Sequence, residues 1–374
     1  MNNLLGNNSE KNDGILISNF ANISYLVGNF GFSQSQRECF ILITKNKKFI
    51  ITDGRYSEAV KKKTKGYEVL DIGVGLFLRK SLSDIFNKNK IKKLGIEEYD
   101  LKVREFKLLR KSAKLFPIDL SDLRIIKRPD EIKNIKLACK IGDGAFGYII
   151  KQIKPGVSEI QISDKLEEYI KNKGADISFK PIVAFGKNSS VPHHISGKTK
   201  LGKNQIVLLD FGVKVNNYCS DMTRTLFAGR APAKFKKIHQ TVLEAQQKAI
   251  EHIKNFYLSS EVEKPSLNKT NMFSTSSNNK LLASEIDKIA RDFIVSKNYP
   301  TIPHSLGHGI GIEVHEPPSI SPNSKIKIRQ GMIFSVEPGI YIEGFGGVRI
   351  EDLVLVKNNN TALLTNSKRE LFEL

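Results

Sequence analysis

Residues 206–225 read IVLLDFGVKVNNYCSDMTRT, and the fold turns on how this stretch is read. Ile206, Val207, Leu208 and Leu209 form a short apolar run of the kind that makes a buried strand, yet the run ends in an acid, Asp210, which such strands seldom carry. Asn216 and Asn217 tolerate left-handed backbone angles and predict a two-residue turn, with Tyr218 to Phe227 returning as the second strand. The turn fixes the register: Asp221 falls opposite Gly212, and Asp210 lies two residues further along on the same face. Two carboxylates then converge on one side of a sheet, where they repel unless they share a proton or hold a cation.

A second stretch, residues 303–316, reads PHSLGHGIGIEVHE and holds three of the seven histidines, His304, His308 and His315, among glycines. Gly307, Gly309 and Gly311 allow close backbone approach around His308, which is the metal-ligand candidate of the three. Next comes IFSVEPGIYIEGFGGVRIEDLVLV, residues 333–356, two strand-like runs around a glycine-rich turn. A loop centred on Gly344 places Glu337 opposite Glu351. Four carboxylates and one imidazole, without thiolates, suit two hard divalent ions, Mn²⁺ foremost, with Co²⁺, Fe²⁺ or Zn²⁺ as alternatives. Paired ions of this kind activate a hydrolytic water.

The 374 residues are 40% apolar, enough for two domains with sizeable cores. The amino-terminal MNNLLGNNSEKNDG is polar, and no window approaches the roughly 18 apolar residues of a membrane span, so a soluble, cytoplasmic protein without a membrane partner is expected. Cys39, Cys139 and Cys219 are far apart and lack ligand spacing, which predicts reduced, inert thiols. The net charge of +20 is spread along the chain: residues 1–125 hold 23 basic and 14 acidic side chains, a mild enrichment that argues against a specific nucleic-acid partner.

In the first third, strands are predicted over 14–20, 39–53 (a hairpin), 67–72, 93–97 and 114–118, alternating with helices over 56–63, 78–89 and 103–112, a pattern of a largely parallel α/β sheet. Pro129 and Asp130 then open a long helix. Beyond it, Gly156-Val157-Ser158-Glu159-Ile160 matches Ala283-Ser284-Glu285-Ile286, each before a helix, which suggests a diverged duplication. Residues 255–282, rich in Ser, Asn and Lys, read as a flexible surface insertion.

From about residue 129 onward these motifs resemble the pita-bread metallopeptidases, the superfamily of methionine aminopeptidase, prolidase, aminopeptidase P and creatinase. HSLGHGIGIEVHE is similar to the proline-peptidase signature throughout, whereas methionine aminopeptidases resemble it only from His308 onward. The first 125 residues, with Thr52-Asp53-Gly54-Arg55-Tyr56, resemble the amino-terminal domain of prolidase and aminopeptidase P. The resemblance implies an α/β amino-terminal domain over 1–125, followed over 126–374 by an α+β pita-bread catalytic domain with pseudo-twofold symmetry. It also implies a dinuclear metal site: Asp210 on one ion, His308 and Glu337 on the other, Asp221 and Glu351 bridging. Glu337 would carry the proton to the departing amine, His193 would face the substrate and His315 would support the tetrahedral intermediate. His304 would line the pocket, Tyr341 and Arg349 would support the ligands from behind, with Arg349 pairing with a ligating carboxylate to fix its orientation, and His194 is expected as a solvent-exposed neighbour.

The function implied is an Xaa-Pro aminopeptidase acting on proline-containing peptides, commonly a homodimer. An Xaa-Pro dipeptidase shares all these residues. Metal-free binding proteins of the same fold form a third class, which the intact ligand set opposes. The departures from the pattern are the 255–282 insertion and Phe185-Gly186, where a small residue before the glycine is commoner; both bear on the substrate cleft.

Overall fold

The short apolar runs of the first third become one six-stranded sheet of order β4-β3-β2-β1-β5-β6. Its strands are β1 (Gly14–Ile17), β2 (Cys39–Thr44), β3 (Lys48–Thr52), β4 (Glu68–Asp71), β5 (Lys93–Ile96) and β6 (Lys114–Pro117). The computed structural model describes residues 12–32, 36–72, 78–262, 280–358 and 360–374, and the chain divides into two compact units, Met1–Arg124 and Ile125–Leu374. The first sheet is mixed, not largely parallel: β1–β2 and β2–β3 run antiparallel and the other three pairs parallel. Alternate residues serve opposite faces, Leu16 and Leu42 in one core, Ile15 and Ile41 in the other. Helices α1 (Phe20–Val27), α2 (Gly54–Lys63), α3 (Leu78–Lys88) and α4 (Val103–Leu109) join the strands. The strand predicted over 14–20 stops at Ile17, because the Asn19 side chain accepts from Asn22 N at 3.0 Å and caps α1.

After a single turn, α5 (Asp122–Ile125), the second unit opens with α6 (Pro129–Ile149), whose first turn holds Pro129, Asp130 and Glu131. Three further helices follow, α7 (Glu159–Asn172), α8 (Ala233–Val262) and α9 (Ala283–Ser296). β7 (Asp176–Ile177), β8 (Ile182–Phe185), β9 (Gln205–Phe211), β10 (Val213–Val215), β11 (Tyr218–Cys219) and β12 (Met222–Ala228) form two three-stranded sheets, β12-β9-β8 and β11-β10-β7. β13 (Gly307–Gly309), β14 (Glu316–Ile320), β15 (Ile333–Val336), β16 (Gly339–Ile342), β17 (Gly346–Arg349), β18 (Asp352–Lys357) and β19 (Asn360–Leu363) form a five-stranded sheet, β14-β13-β15-β18-β19, and the ribbon β16-β17. The predicted insertion begins later than its composition suggests: α8 continues to Val262, with Phe256 and Tyr257 against the core, while residues 263–279 lie outside the described residues.

The two halves of this unit repeat a frame. Ser158 caps α7 and bridges Lys200; Leu282 precedes α9 and bridges Lys327. Glu159 N donates to Thr199 O at 3.1 Å and Ala283 N to Ile326 O at 2.9 Å; Leu201 N donates to Val157 O at 2.8 Å and Ile328 N to Leu281 O at 2.9 Å. The duplication is therefore aligned Ser158 with Leu282, not Ser158 with Ser284, since the paired backbone bonds and not the side chains repeat. No helix among the described residues is long and apolar enough to cross a membrane. All three cysteines are free and buried.

Candidate metal centre

Both hairpins adopt the registers that their turns dictate. Asn216 and Asn217 take φ of 49° and 70°, Lys214 and Val215 pair with Cys219 and Tyr218, and further down Asp210 pairs with Thr223 and Phe211 with Met222. Gly344 turns at φ 75°, Gly339 pairs with Arg349 and Val336 with Asp352, so Glu337 and Glu351 occupy facing positions between the two ladders. Glu351 N donates to Thr223 O at 3.1 Å, which stitches the second hairpin to the first. His308 arrives on β13, where glycine is required: a Cβ at Gly307 would lie 1.9 Å from Ser335 O, and one at Gly309 2.2 Å from Pro317 O.

These elements bring Asp210, Asp221, His308, Glu337 and Glu351 to one cavity of about 850 Å³, lined also by His193, His304, His315 and Arg349. Ligand atoms of Asp221, His308 and Glu351 lie within 4.8 Å of one another. His308 Nδ1 donates to Gly309 O at 3.1 Å, which turns Nε2 toward Glu337 Oε1 at 3.3 Å and Asp221 Oδ2 at 3.8 Å. Asp210 instead meets Arg349 Nη2 at 2.5 Å. Asp210 Oδ1, Asp221 Oδ1 and Glu351 Oε1 are buried and find no hydrogen-bond donor among the described residues. Burial, and then mutual repulsion, pushes Asp221 and Glu351 well above the usual carboxylate range. Burial opposes ionisation of Glu337 and His308 as well, but their contact overrides it, holding Glu337 at about 2 and raising His308 to about 9. Buried acceptors without donors, converging beside an imidazole, are the donor set that a divalent cation completes, so these residues fit a metal.

Around the carboxylates runs a hydrogen-bonded chain. The His304 Nδ1 donates to Ser305 O at 2.8 Å, so Nε2 of the neutral ring accepts from the Tyr341 hydroxyl at 2.9 Å, and that hydroxyl accepts from Arg349 Nη1 at 2.9 Å. Burial lowers His304, which keeps it neutral. His315 packs edge-on against His308 with ring centres 4.1 Å apart.

Several contributors escaped the sequence reading. The Thr223 hydroxyl donates to Glu351 Oε2 at 2.7 Å and accepts from Arg349 Nε at 3.1 Å, and Ser335 Oγ donates to Glu337 Oε1 at 3.1 Å. Lys127 Nζ and Glu316 Oε1 form a fully buried pair at 2.8 Å behind the histidine loop. The spacing Asp221-x-Thr223, at the start of β12, was a signal for the first; nothing in sequence joins Lys127 to Glu316. His194 overturns an expectation: instead of facing solvent it is turned inward, its Nε2 2.9 Å from buried Glu159 Oε2, because the loop folds back over the start of α7. Its neighbour His193 is the exposed one, at the cavity rim.

Two paired hairpins meeting over a carboxylate–histidine cluster, after a separate α/β unit, define a class of metal-dependent hydrolases, and comparison with known proteins agrees. The chain belongs to metallopeptidase family M24, whose model matches residues 133–264 and 272–358, and residues 8–126 match the creatinase/prolidase N-terminal domain. It is 36% identical over 369 residues to the uncharacterized peptidase YqhT of Bacillus subtilis, covering 97% of this chain and 96% of that protein. The structure of the Xaa-Pro dipeptidase from Bacillus anthracis superposes with a TM-score of 0.86 at 34% identity, covering 100% of this chain and 98% of that one. That of the X-Pro aminopeptidase from Thermotoga maritima gives 0.80 at 32% identity, covering 97% and 98%. The chain is thus a peptidase, with a creatinase-type first domain and a pita-bread second domain.

Proposed function

We propose that the chain is an Xaa-Pro aminopeptidase that releases an amino-terminal residue preceding proline, with Asp210, Asp221, His308, Glu337 and Glu351 holding two divalent ions, Mn²⁺ foremost. The observation that carries the specificity is the cavity: about 850 Å³, lined by the carboxylates and also by the apolar Phe179, Ile182, Pro192, Val314 and Ile326. Proline's nitrogen in an Xaa-Pro bond has no N–H to satisfy, so an apolar wall accepts the ring without stranding a donor. The volume exceeds what a dipeptide fills, and Arg349, the guanidinium among the lining residues, is committed to Asp210, Tyr341 and Thr223 instead of to a substrate carboxylate. Both points favour longer peptides. The names of relatives such as the Xaa-Pro dipeptidase of Pyrococcus horikoshii, 37% identical over 75% of this chain, support the rival dipeptidase reading.

When bound, the ions supply positive charge that acidifies a water and polarises the scissile carbonyl. Glu337, half-buried between Ser335 and His308, takes the proton of the attacking water and delivers it to the proline nitrogen as the C–N bond breaks. His315 and His193 face the cavity as donors to the developing oxyanion and the peptide. Arg349, held by Thr223 and Tyr341, orients Asp210 and opposes the burial that raises its carboxyl. The working form is a homodimer, which sedimentation checks.

The test is release of glycine from Gly-Pro and Gly-Pro-Ala, and of methionine from Met-Ala-Ser, by Mn²⁺-loaded protein. The tripeptide Gly-Pro-Ala is cleaved fastest. Preference for Gly-Pro makes the chain a dipeptidase, and preference for Met-Ala-Ser removes the proline assignment altogether.

A further inference from the structure

We propose that Glu159 and His194 form a clamp that sets the cavity rim carrying His193, and that both are positioning residues for peptide binding; this rests on the peptidase reading above. Glu159, the first residue of α7, is completely buried, and its carboxylate is satisfied by one segment alone. Oε1 accepts from Phe185 N at 2.9 Å and Asn188 Nδ2 at 2.8 Å; Oε2 accepts from Gly197 N at 3.1 Å and from His194 Nε2 at 2.9 Å. All four donors lie in residues 185–197, the end of β8, the 3-10 turn Gly186–Ser190 and the loop after it. The far side of the same segment is fastened to the second hairpin: Ser189 Oγ accepts from Gly347 N at 2.8 Å, and Pro192 O accepts from Arg349 Nη1 at 3.4 Å. Between these two anchorages Pro192 and His193 line the cavity.

The repeated frame supplies an internal control. Ala283 holds the position of Glu159 in the second half, is equally buried, and makes the equivalent backbone bond, so the carboxylate is not needed to begin the helix or to tie it to its bridge. What Glu159 adds is capture of the 185–197 segment by charge-assisted hydrogen bonds, which fix donors more firmly than neutral ones do. His194 is the one side chain of that set that reaches back from beyond the turn, and with its imidazole turned inward the adjacent His193 is left facing the cavity.

The clamp is tested with His194→Ala, His194→Gln and Glu159→Gln. Three quantities are compared with the unmodified enzyme: kcat and KM for Gly-Pro-Ala, Mn²⁺ affinity by calorimetry, and amide hydrogen exchange across residues 185–197. His194→Ala raises KM about tenfold while kcat changes less than about threefold, leaves Mn²⁺ affinity unaltered, and speeds exchange in the segment about tenfold. His194→Gln, whose amide can still donate to Glu159, recovers most of both losses. Glu159→Gln turns an amide donor toward N–H groups and exceeds His194→Ala in both, its melting temperature showing that it folds. Unchanged KM or unchanged exchange in His194→Ala overturns the clamp, as does a fall in Mn²⁺ affinity matching the rise in KM, which would place the pair at the metal instead. Failure of the unmodified protein on Gly-Pro-Ala removes the proline reading, and hydrogen exchange still decides the clamp.

Discussion

Ser158 and Leu282 stand at equivalent helix starts and make equivalent bridges, to Lys200 and Lys327, yet the residues that follow differ: a buried carboxylate at Glu159, a buried methyl at Ala283. The same contrast recurs along both halves. β9 and β12 form a hairpin whose third strand, β8, is apolar, while β15 and β18 form one whose third strand, β13, brings His308. One turn deeper in the helices, Ser163 Oγ donates to Pro181 O ahead of β8 at 3.2 Å, and Asp287 Oδ1 accepts from Leu306 N ahead of β13 at 3.1 Å. Backbone hydrogen bonds carry the repeated geometry and tolerate almost any side chain, so chemistry can diverge between halves without disturbing the frame. The first half has an apolar third strand and a clamped loop with His193; the second places the His308 imidazole on its third strand.

The largest break in this pairing is Glu337→Gln. It removes a charge from the cluster and the proposed proton carrier together, and turnover falls about 10³-fold or more in steady-state assays, with Mn²⁺ stoichiometry measured alongside. Asp287→Ala comes next. It deletes a buried carboxylate held by Arg291 Nε and Nη2 at 2.9 Å as well as by Leu306 N, and costs about 3 kcal/mol in denaturant unfolding.

His239 gives a smaller, pH-dependent effect. Its imidazole is 2% exposed and Nε2 has no partner among the described residues, so burial lowers it from 6.5 to about 4. The unfolded chain therefore binds the extra proton between those values, and stability, complete above pH 6.5, declines toward pH 4. Between pH 7 and pH 5 the loss attributable to this ring is about 2 kcal/mol, and His239→Asn, which cannot titrate, flattens that part of the profile in chemical denaturation at stepped pH. An unchanged slope removes the assignment. The smallest effect is Ser163→Ala, the counterpart of Asp287→Ala, at about 1 kcal/mol, because a neutral hydroxyl replaces the ionic hub. Equal costs at 163 and 287 would mean that the two halves share energetics as well as geometry.

The sequence by itself determined the two hairpin registers. A two-residue Asn-Asn turn and a glycine turn at Gly344 leave each ladder one way to pair, and side-chain alternation then sends Asp210, Asp221, Glu337 and Glu351 inward. The glycines around His308 were legible for the same local reason, since a Cβ at Gly307 has no room. What only the tertiary structure decided was every feature held by partners far along the chain. The start of α1 at Asn19, hidden in an apolar run, was local but masked by composition. The alignment of the repeat on Ser158 and Leu282, the inward turn of His194 onto a carboxylate 35 residues away, and the pairing of Lys127 with Glu316 across 189 residues were not local at all. Such contacts depend on which groups burial leaves in need of a partner once the whole chain has packed, and no periodicity or turn rule encodes that need.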